Sequence, residues 1–206
     1  MAQQYRSNTE AVMALQKRES IDLTEEEYLA SETASEVKRE FIDGQVYAMA
    51  GAGYNHNCLA ANILRKFGNH LEGTPCTTFM ADIKVKLGKD YVYPDVLVDC
   101  SKMSGDDYFS TSPKIIVEVL SRSTRRTDTT TKLVRYINLP SLLEYVLIEP
   151  DIVSVQVLRK SNHWRSEYFF LGDLVNFESI GLTLSVEEIY DRVDNADMNE
   201  FRAGMN

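Results

Sequence analysis

Apolar residues fall into two recurring patterns along this chain, one with helical spacing and one that alternates. Leu59, Ile63, Leu64, Phe67 and Leu71 recur with helical spacing. They predict a helix capped by Asn55 or Asn57, running to about Glu72 and stopped by Gly73-Thr74-Pro75. Phe79, Ala81, Ile83, Val85 and Leu87 alternate with Met80, Asp82, Lys84 and Lys86, which predicts one strand with a polar face. Gly88-Lys89-Asp90 turns that strand into Tyr91 to Asp99. Ser101 to Ser112 is a polar loop, and Pro113 to Ser121 is the next strand. Lys132, Leu133, Val134, Tyr136 and Ile137 predict a helix with Thr129 or Thr130 near its start, ended by Asn138-Leu139-Pro140. Glu144 to Ile148 is another strand.

Local signals fill in the flanks. Thr24 and Glu27 form a capping box ahead of a short helix through Leu29, and Ser185 with Glu188 form another ahead of a helix to about Val193. Asp43-Gly44 predicts a hairpin within Glu36 to Met49. Ile152 to Leu158 and Trp164 to Leu171 predict a second hairpin around Ser161-Asn162. Residues 1–20 read as a partly ordered arm, 21–193 as a single domain, and 194–206 as a frayed tail. Short turns between consecutive strands argue for antiparallel pairing, and the helix between the Glu118 and Val146 strands for one parallel crossover. The expected class is α/β of the mixed α+β kind: a mixed sheet flanked by helices, with hairpins added at both ends.

Composition narrows the function classes. The chain has 206 residues, 44% of them hydrophobic, and a net charge of −9. That charge opposes broad binding to nucleic acid, so such a site needs a local basic patch or bound cations. Apolar runs fall short of the roughly 18 residues that span a membrane. The start of the chain lacks an apolar signal core, so a cytoplasmic protein is expected. Cys58, Cys76 and Cys100 are odd in number and lack C-x-x-C spacing. They read as small buried residues of a reducing compartment rather than as disulfides or zinc ligands.

Two acids change the picture. Asp95 and Glu118 each interrupt a run of Val, Ile and Leu on successive strands. A buried carboxylate costs roughly several kcal/mol unless it is paired or holds a cation. Two on neighbouring strands therefore suit a hard divalent ion, Mg²⁺ or Mn²⁺. A nearby lysine would serve phosphodiester hydrolysis, and the chain offers Lys132 and Lys84. The alternative is that the two acids are strand-end groups satisfied by Lys, Arg or backbone N–H. Asp82-Ile83-Lys84 has D-x-K spacing but precedes the Asp95 strand. Arg122, Arg125 and Arg126 form the dense basic cluster near these elements, suited to phosphates or to a solvated loop.

These pieces occur in a specific order. Pro94-Asp95 is followed by Ile116-Val117-Glu118-Val119-Leu120-Ser121-x-Ser123-Thr124, by Asp128, Lys132 and Tyr136, and by Glu144-Tyr145-Val146-Leu147-Ile148. Upstream lie Arg39-Glu40-Phe41-Ile42-Asp43-Gly44 and Ala50-Gly51-Ala52-x-x-x-His56. The set resembles the Uma family of restriction-endonuclease-like proteins, in the PD-(D/E)XK nuclease superfamily, over Leu23 to Val193. The resemblance implies a restriction-endonuclease-like core and a Mg²⁺- or Mn²⁺-dependent endonuclease acting on DNA, with RNA open as an alternative substrate. It implies Asp95 and Glu118 as metal ligands and catalytic residues, with Glu40 completing the site. Leu120 stands where the superfamily carries its lysine, and the resemblance implies that Lys132 on the following helix substitutes. His56 matches a family histidine and, with the three arginines, is a candidate for nucleic-acid contact. A homodimer is expected, since cutting both strands of a duplex favours two sites. The competing functions are a non-catalytic member that binds nucleic acid or a protein partner, and a phosphoesterase acting on small substrates.

Overall fold

Strand pairing is organised around β8 (Pro113–Val119), which is buried along almost its whole length. It lies antiparallel to β6 (Val96–Asp99) on one side and parallel to β9 (Glu144–Ile148) on the other. A strand covered on both faces reads as an apolar run rather than as an alternation, and Ile115-Ile116-Val117 is such a run, broken by Glu118 before Val119. The computed structural model describes residues 23–205. The arm expected over residues 1–20 lies outside them.

The described residues form two compact units. The first comprises those up to Ala50 together with Gly88–Val92. In it, helix α1 (Glu25–Glu32) begins at the Thr24–Glu27 capping box. Strands β1 (Arg39–Ile42) and β2 (Gln45–Ala48) form the hairpin around Asp43 and Gly44, both at positive φ. That double left-handed turn matches the twist of the strands it joins. Strand β5 (Asp90–Val92) pairs with β1 on its other side. Tyr28 locks the unit. Its ring packs 4.9 Å from that of Phe41 and 5.7 Å from that of Tyr91, and its hydroxyl donates to the Arg39 carbonyl at 2.6 Å.

The second unit holds the larger sheet, in the order β11-β10-β9-β8-β6-β3, with β3 at Thr77–Met80, β10 at Val155–Arg159 and β11 at Ser166–Phe169. One face carries Val96, Val98, Ile115, Val117, Val119, Val146, Ile148, Val155 and Val157. Helix α2 (Tyr54–His70) covers it with Leu59, Ala60, Ile63 and Phe67. The opposite face presents Leu97, Ile116, Glu118, Tyr145 and Leu147, because side chains alternate along each strand. The helical crossover from β8 to β9 covers that face. It runs as α3 (Arg125–Thr127), a π-helical turn (Asp128–Lys132) and α4 (Leu133–Ile137). The expected parallel crossover is therefore present.

Several elements differ from expectation. The alternating stretch Phe79 to Leu87 is two strands, not one. β3 pairs with β6, the chain breaks at Ala81 (φ 39°), and β4 (Lys84–Leu87) pairs in parallel with β7 (Phe109–Ser110), which lies inside the loop predicted over Ser101 to Ser112. Helix α2 is capped by neither asparagine. Gly53 is its cap residue, Asn57 donates to the Ala52 and Gly53 carbonyls, and Asn55 reaches Asp194. A hairpin of β12 (Leu174–Phe177) and β13 (Leu182–Ser185) leads into α5 (Val186–Ile189), which starts at the predicted Ser185–Glu188 box. The end of the chain is helical rather than frayed. Asn195 caps α6 (Ala196–Gly204), accepting from Met198 N at 2.9 Å, and Met198 is buried in the core.

The cysteine expectation is also corrected: Cys76 and Cys100 form a disulfide. The reason is register. Thr77 pairs with Asp99, so the next positions outward, Cys76 and Cys100, face each other with Cα atoms 3.9 Å apart. Closing a loop of sequence separation 24 restricts the unfolded chain by about 3 kcal/mol. Reductant should therefore lower the unfolding free energy by about that much in guanidinium titrations, while Cys58→Ala leaves the reductant effect intact. An unchanged midpoint would show that the bond contributes nothing.

Candidate active site

The sheet brings the two interrupting acids together. Val96 pairs with Val117 and Leu97 with Ile116, so the same antiparallel register carried one step outward sets Asp95 opposite Glu118. Asp95 precedes β6 and is pinned from both sides. Its Oδ2 accepts from Val119 N at 2.7 Å, and its carbonyl accepts from Ala81 N at 3.3 Å. His56, in the first turn of α2, places Nε2 3.2 Å from the same Oδ2. Burial pushes the His56 pKa down, but the hydrogen bond and charge of Asp95, helped by the Val119 backbone and the more distant Asp128, raise it overall. The ring is thereby biased toward the charged form.

Glu118 is 3% exposed and belongs to the face covered by the crossover helix. Its Oε1 receives Tyr136 Oη at 3.0 Å and lies 3.3 Å from Lys132 Nζ. Lys132, also 3% exposed, stands 3.1 Å from Asp128 Oδ1, one helical turn back. That contact is close enough for an ion pair but lies off the direction of a hydrogen bond. Tyr145 on β9 donates to the Asp128 carbonyl at 3.0 Å and ties the helix to the sheet.

The π turn accounts for the alignment. In a regular α-helix, positions four apart drift by ~40° around the axis, so three residues spaced by four spread over ~80°. A π turn takes more residues per turn and drifts the other way. With Asp128 to Lys132 in the π turn and Lys132 to Tyr136 in the α-helix, the two drifts oppose, and all three side chains are buried toward the sheet. Leu120, the position at which the sequence resemblance led to a lysine being expected, is buried, its N–H donating to the Ile148 carbonyl at 2.8 Å.

The remaining candidates are placed as follows. Glu40 is buried on β1 in the first unit. Arg125 is held by a two-pronged ion pair with Glu149, whereas Arg122 and Arg126 are exposed. Asp82 is exposed at the β3–β4 connection while Lys84 is buried on β4, its Nζ donating to Tyr93 Oη at 3.1 Å. Among the described residues no cluster of three or more His, Cys, Asp or Glu converges as a metal cage. Tyr136 is the site residue to which the sequence assigned no role. Its spacing of four from Lys132 is the signal that finds it.

A mixed sheet with helices on its faces and a carboxylate pair at adjacent strands defines a nuclease-like α/β protein. A crystal structure from Anabaena variabilis, described as a "putative nuclease belonging to DUF820", has the same fold: TM-score 0.69, 20% identity, over 82% of this chain and 97% of that one. The family described as "Uma2: Putative restriction endonuclease" matches residues 25–187, and the chain belongs to it. Two Synechocystis proteins are similar as well. "Uncharacterized protein slr1290" is 34% identical over 173 residues, which is 82% of this chain and 91% of that one. "Uncharacterized protein sll1609" is 34% identical over 143 residues, 67% and 81% of the two chains. The mixed fold and the family expected from the sequence are thereby established. Among the described residues no helix is long and apolar enough to cross a membrane.

Proposed function

We propose that the chain is a metal-dependent endonuclease of the PD-(D/E)XK type that hydrolyses phosphodiester bonds of DNA. The observation that carries the reading is the register pairing of Asp95 with Glu118, with Lys132 Nζ on the Glu118 carboxylate. The donor set fits a hard divalent cation. Two carboxylates stand at register-paired positions of adjacent strands, with protein donors on Oδ2 of one and Oε1 of the other. Mg²⁺ is commonly held by one or two carboxylates and completed by substrate phosphate and water, so a full protein cage is not required.

Asp95 and Glu118 would hold Mg²⁺ or Mn²⁺, which supplies Lewis acidity to the phosphoryl group and to a water nucleophile. Lys132 presents its ammonium beside Glu118, where it would orient the attacking water and stabilise the negative charge that develops on the phosphoryl oxygens. His56 holds Asp95 from the helix side. Glu40 enters the site by family resemblance alone, and Glu40→Gln tests it by itself. Arg122 and Arg126, exposed at the start of the crossover, would meet backbone phosphates; Arg125 is committed to Glu149.

Plasmid nicking and linearisation with Mg²⁺ or Mn²⁺ test this reading on wild type and Glu118→Gln purified in parallel. Cleavage by the wild type that disappears in the variant is the expected result. Equal cleavage by both would place the activity elsewhere, and absence of cleavage in both would favour a nucleic-acid-binding role over catalysis.

A further inference from the structure

We propose that Tyr136 is a positioning residue for the cation site, acting through Glu118. The proposal rests on the reading of Asp95 and Glu118 as ligands and goes beyond it by saying what aims the second ligand. Two donors converge on Glu118 Oε1, the Tyr136 hydroxyl at 3.0 Å and the Lys132 ammonium at 3.3 Å. They differ in kind. The lysine is a point charge on a flexible four-carbon stem. The phenol sits at the end of a fully buried rigid ring, whose centroid lies 5.1 Å from that of Tyr145. A directional donor on a fixed ring defines the plane of the carboxylate, which an ammonium alone does not.

The consequence concerns the orientation of the carboxylate. With Oε1 held from the helix by a donor on a fixed ring, the Glu118 side chain is already oriented before a cation arrives. Hydrogen bonds that orient a ligating carboxylate typically change metal affinity by about 10–100-fold when removed. The competing account is structural: the hydroxyl only satisfies a buried acid, as any donor would. Tyr145 separates the two accounts. It is the other half of the same aromatic pair and equally buried, but its hydroxyl donates to the Asp128 carbonyl rather than to Glu118.

Titration calorimetry with Mn²⁺ on the full chain compares wild type, Asp95→Asn, Tyr136→Phe and Tyr145→Phe. Phe fills the space of the ring it replaces, and a cooperative melt checks that each variant is folded. The expected pattern is binding by the wild type, loss in Asp95→Asn, about 10–100-fold weakening in Tyr136→Phe, and a change within about twofold in Tyr145→Phe. Wild-type affinity in Tyr136→Phe, or equal weakening in Tyr145→Phe, overturns the positioning role while leaving the two-carboxylate site standing. Absence of wild-type binding, or binding that survives Asp95→Asn, overturns the site itself and the proposal with it.

Discussion

Replacing Lys132 with Met should abolish cleavage and lower the unfolding free energy by about 3–5 kcal/mol. Lys132 stands between two carboxylates that are buried almost completely, Glu118 and Asp128. Met keeps most of the volume and removes the charge, so the cost reports two acids left in a dry site rather than a cavity. For a chain of 206 residues the melting temperature should fall by roughly 10 °C. Lys132→Arg separates the two effects. It preserves the positive charge and should recover more stability than activity, because a planar guanidinium does not reproduce an ammonium held between two acids. Full cleavage by Lys132→Met would refute the lysine assignment, and an unshifted melt would refute the buried pairing.

Arg159→Leu should destabilise the fold by a similar amount, about 3–5 kcal/mol, without removing the proposed cation site. Arg159 on β10 is 4% exposed. Its Nε lies 3.3 Å from Glu144 Oε1, its Nη2 donates to the Asn176 carbonyl at 2.6 Å, and its Nη1 pairs with Glu167. Glu144, 1% exposed, also accepts from the Glu178 and Ser179 backbone N–H groups at 3.1 and 3.0 Å. The network thus fastens the β12–β13 hairpin to the main sheet. Register and alternation place Glu144 on the face of the sheet opposite Glu118. The melting temperature should therefore drop while Mn²⁺ affinity, measured well below the transition, stays near the wild-type value. A matching loss of affinity would show that the two faces are coupled.

Much of this was readable from the residues, and what was not has a common cause. β6, β8 and β9 were legible because each is a short Val/Ile/Leu run bounded by turn residues. Asp95 and Glu118 were legible because each breaks such a run. Their pairing is a matter of register, which spans the chain between them. The same non-local step hid the disulfide, since Cys76 and Cys100 meet only once β3 is aligned on β6. Alternation through Phe79 to Leu87 concealed a change of strand because the kink at Ala81 leaves the period of apolar residues unbroken. The crossover helix was expected to start near Thr129 or Thr130, whereas helical structure begins at Arg125, because Ser and Thr favour helix interiors weakly. Tertiary packing overrides that preference, and the Ser121 hydroxyl accepts from Thr124 N at 3.1 Å as the helical segment begins. The β12–β13 hairpin was missed because each strand is short; in β12 only Val175 and Phe177 face the core.

Carrying the lysine on a helix rather than on the strand beside Glu118 divides the site between parts of unequal stability. Glu118 lies on the central strand β8 and Asp95, just ahead of β6, is fastened to it through Val119 N, so both should stay in place until the six-stranded sheet opens. Lys132 and Tyr136 belong to a short helical crossover interrupted by a π turn. Its docking depends on the buried Tyr136 and on the ion pairs beneath it. The fraction of molecules with all four side chains assembled is then set by the local free energy of seating that helix, not by the global stability of the fold. A population that looks fully folded by a sheet-sensitive probe can hold a subset in which the acids are in place and the lysine is not.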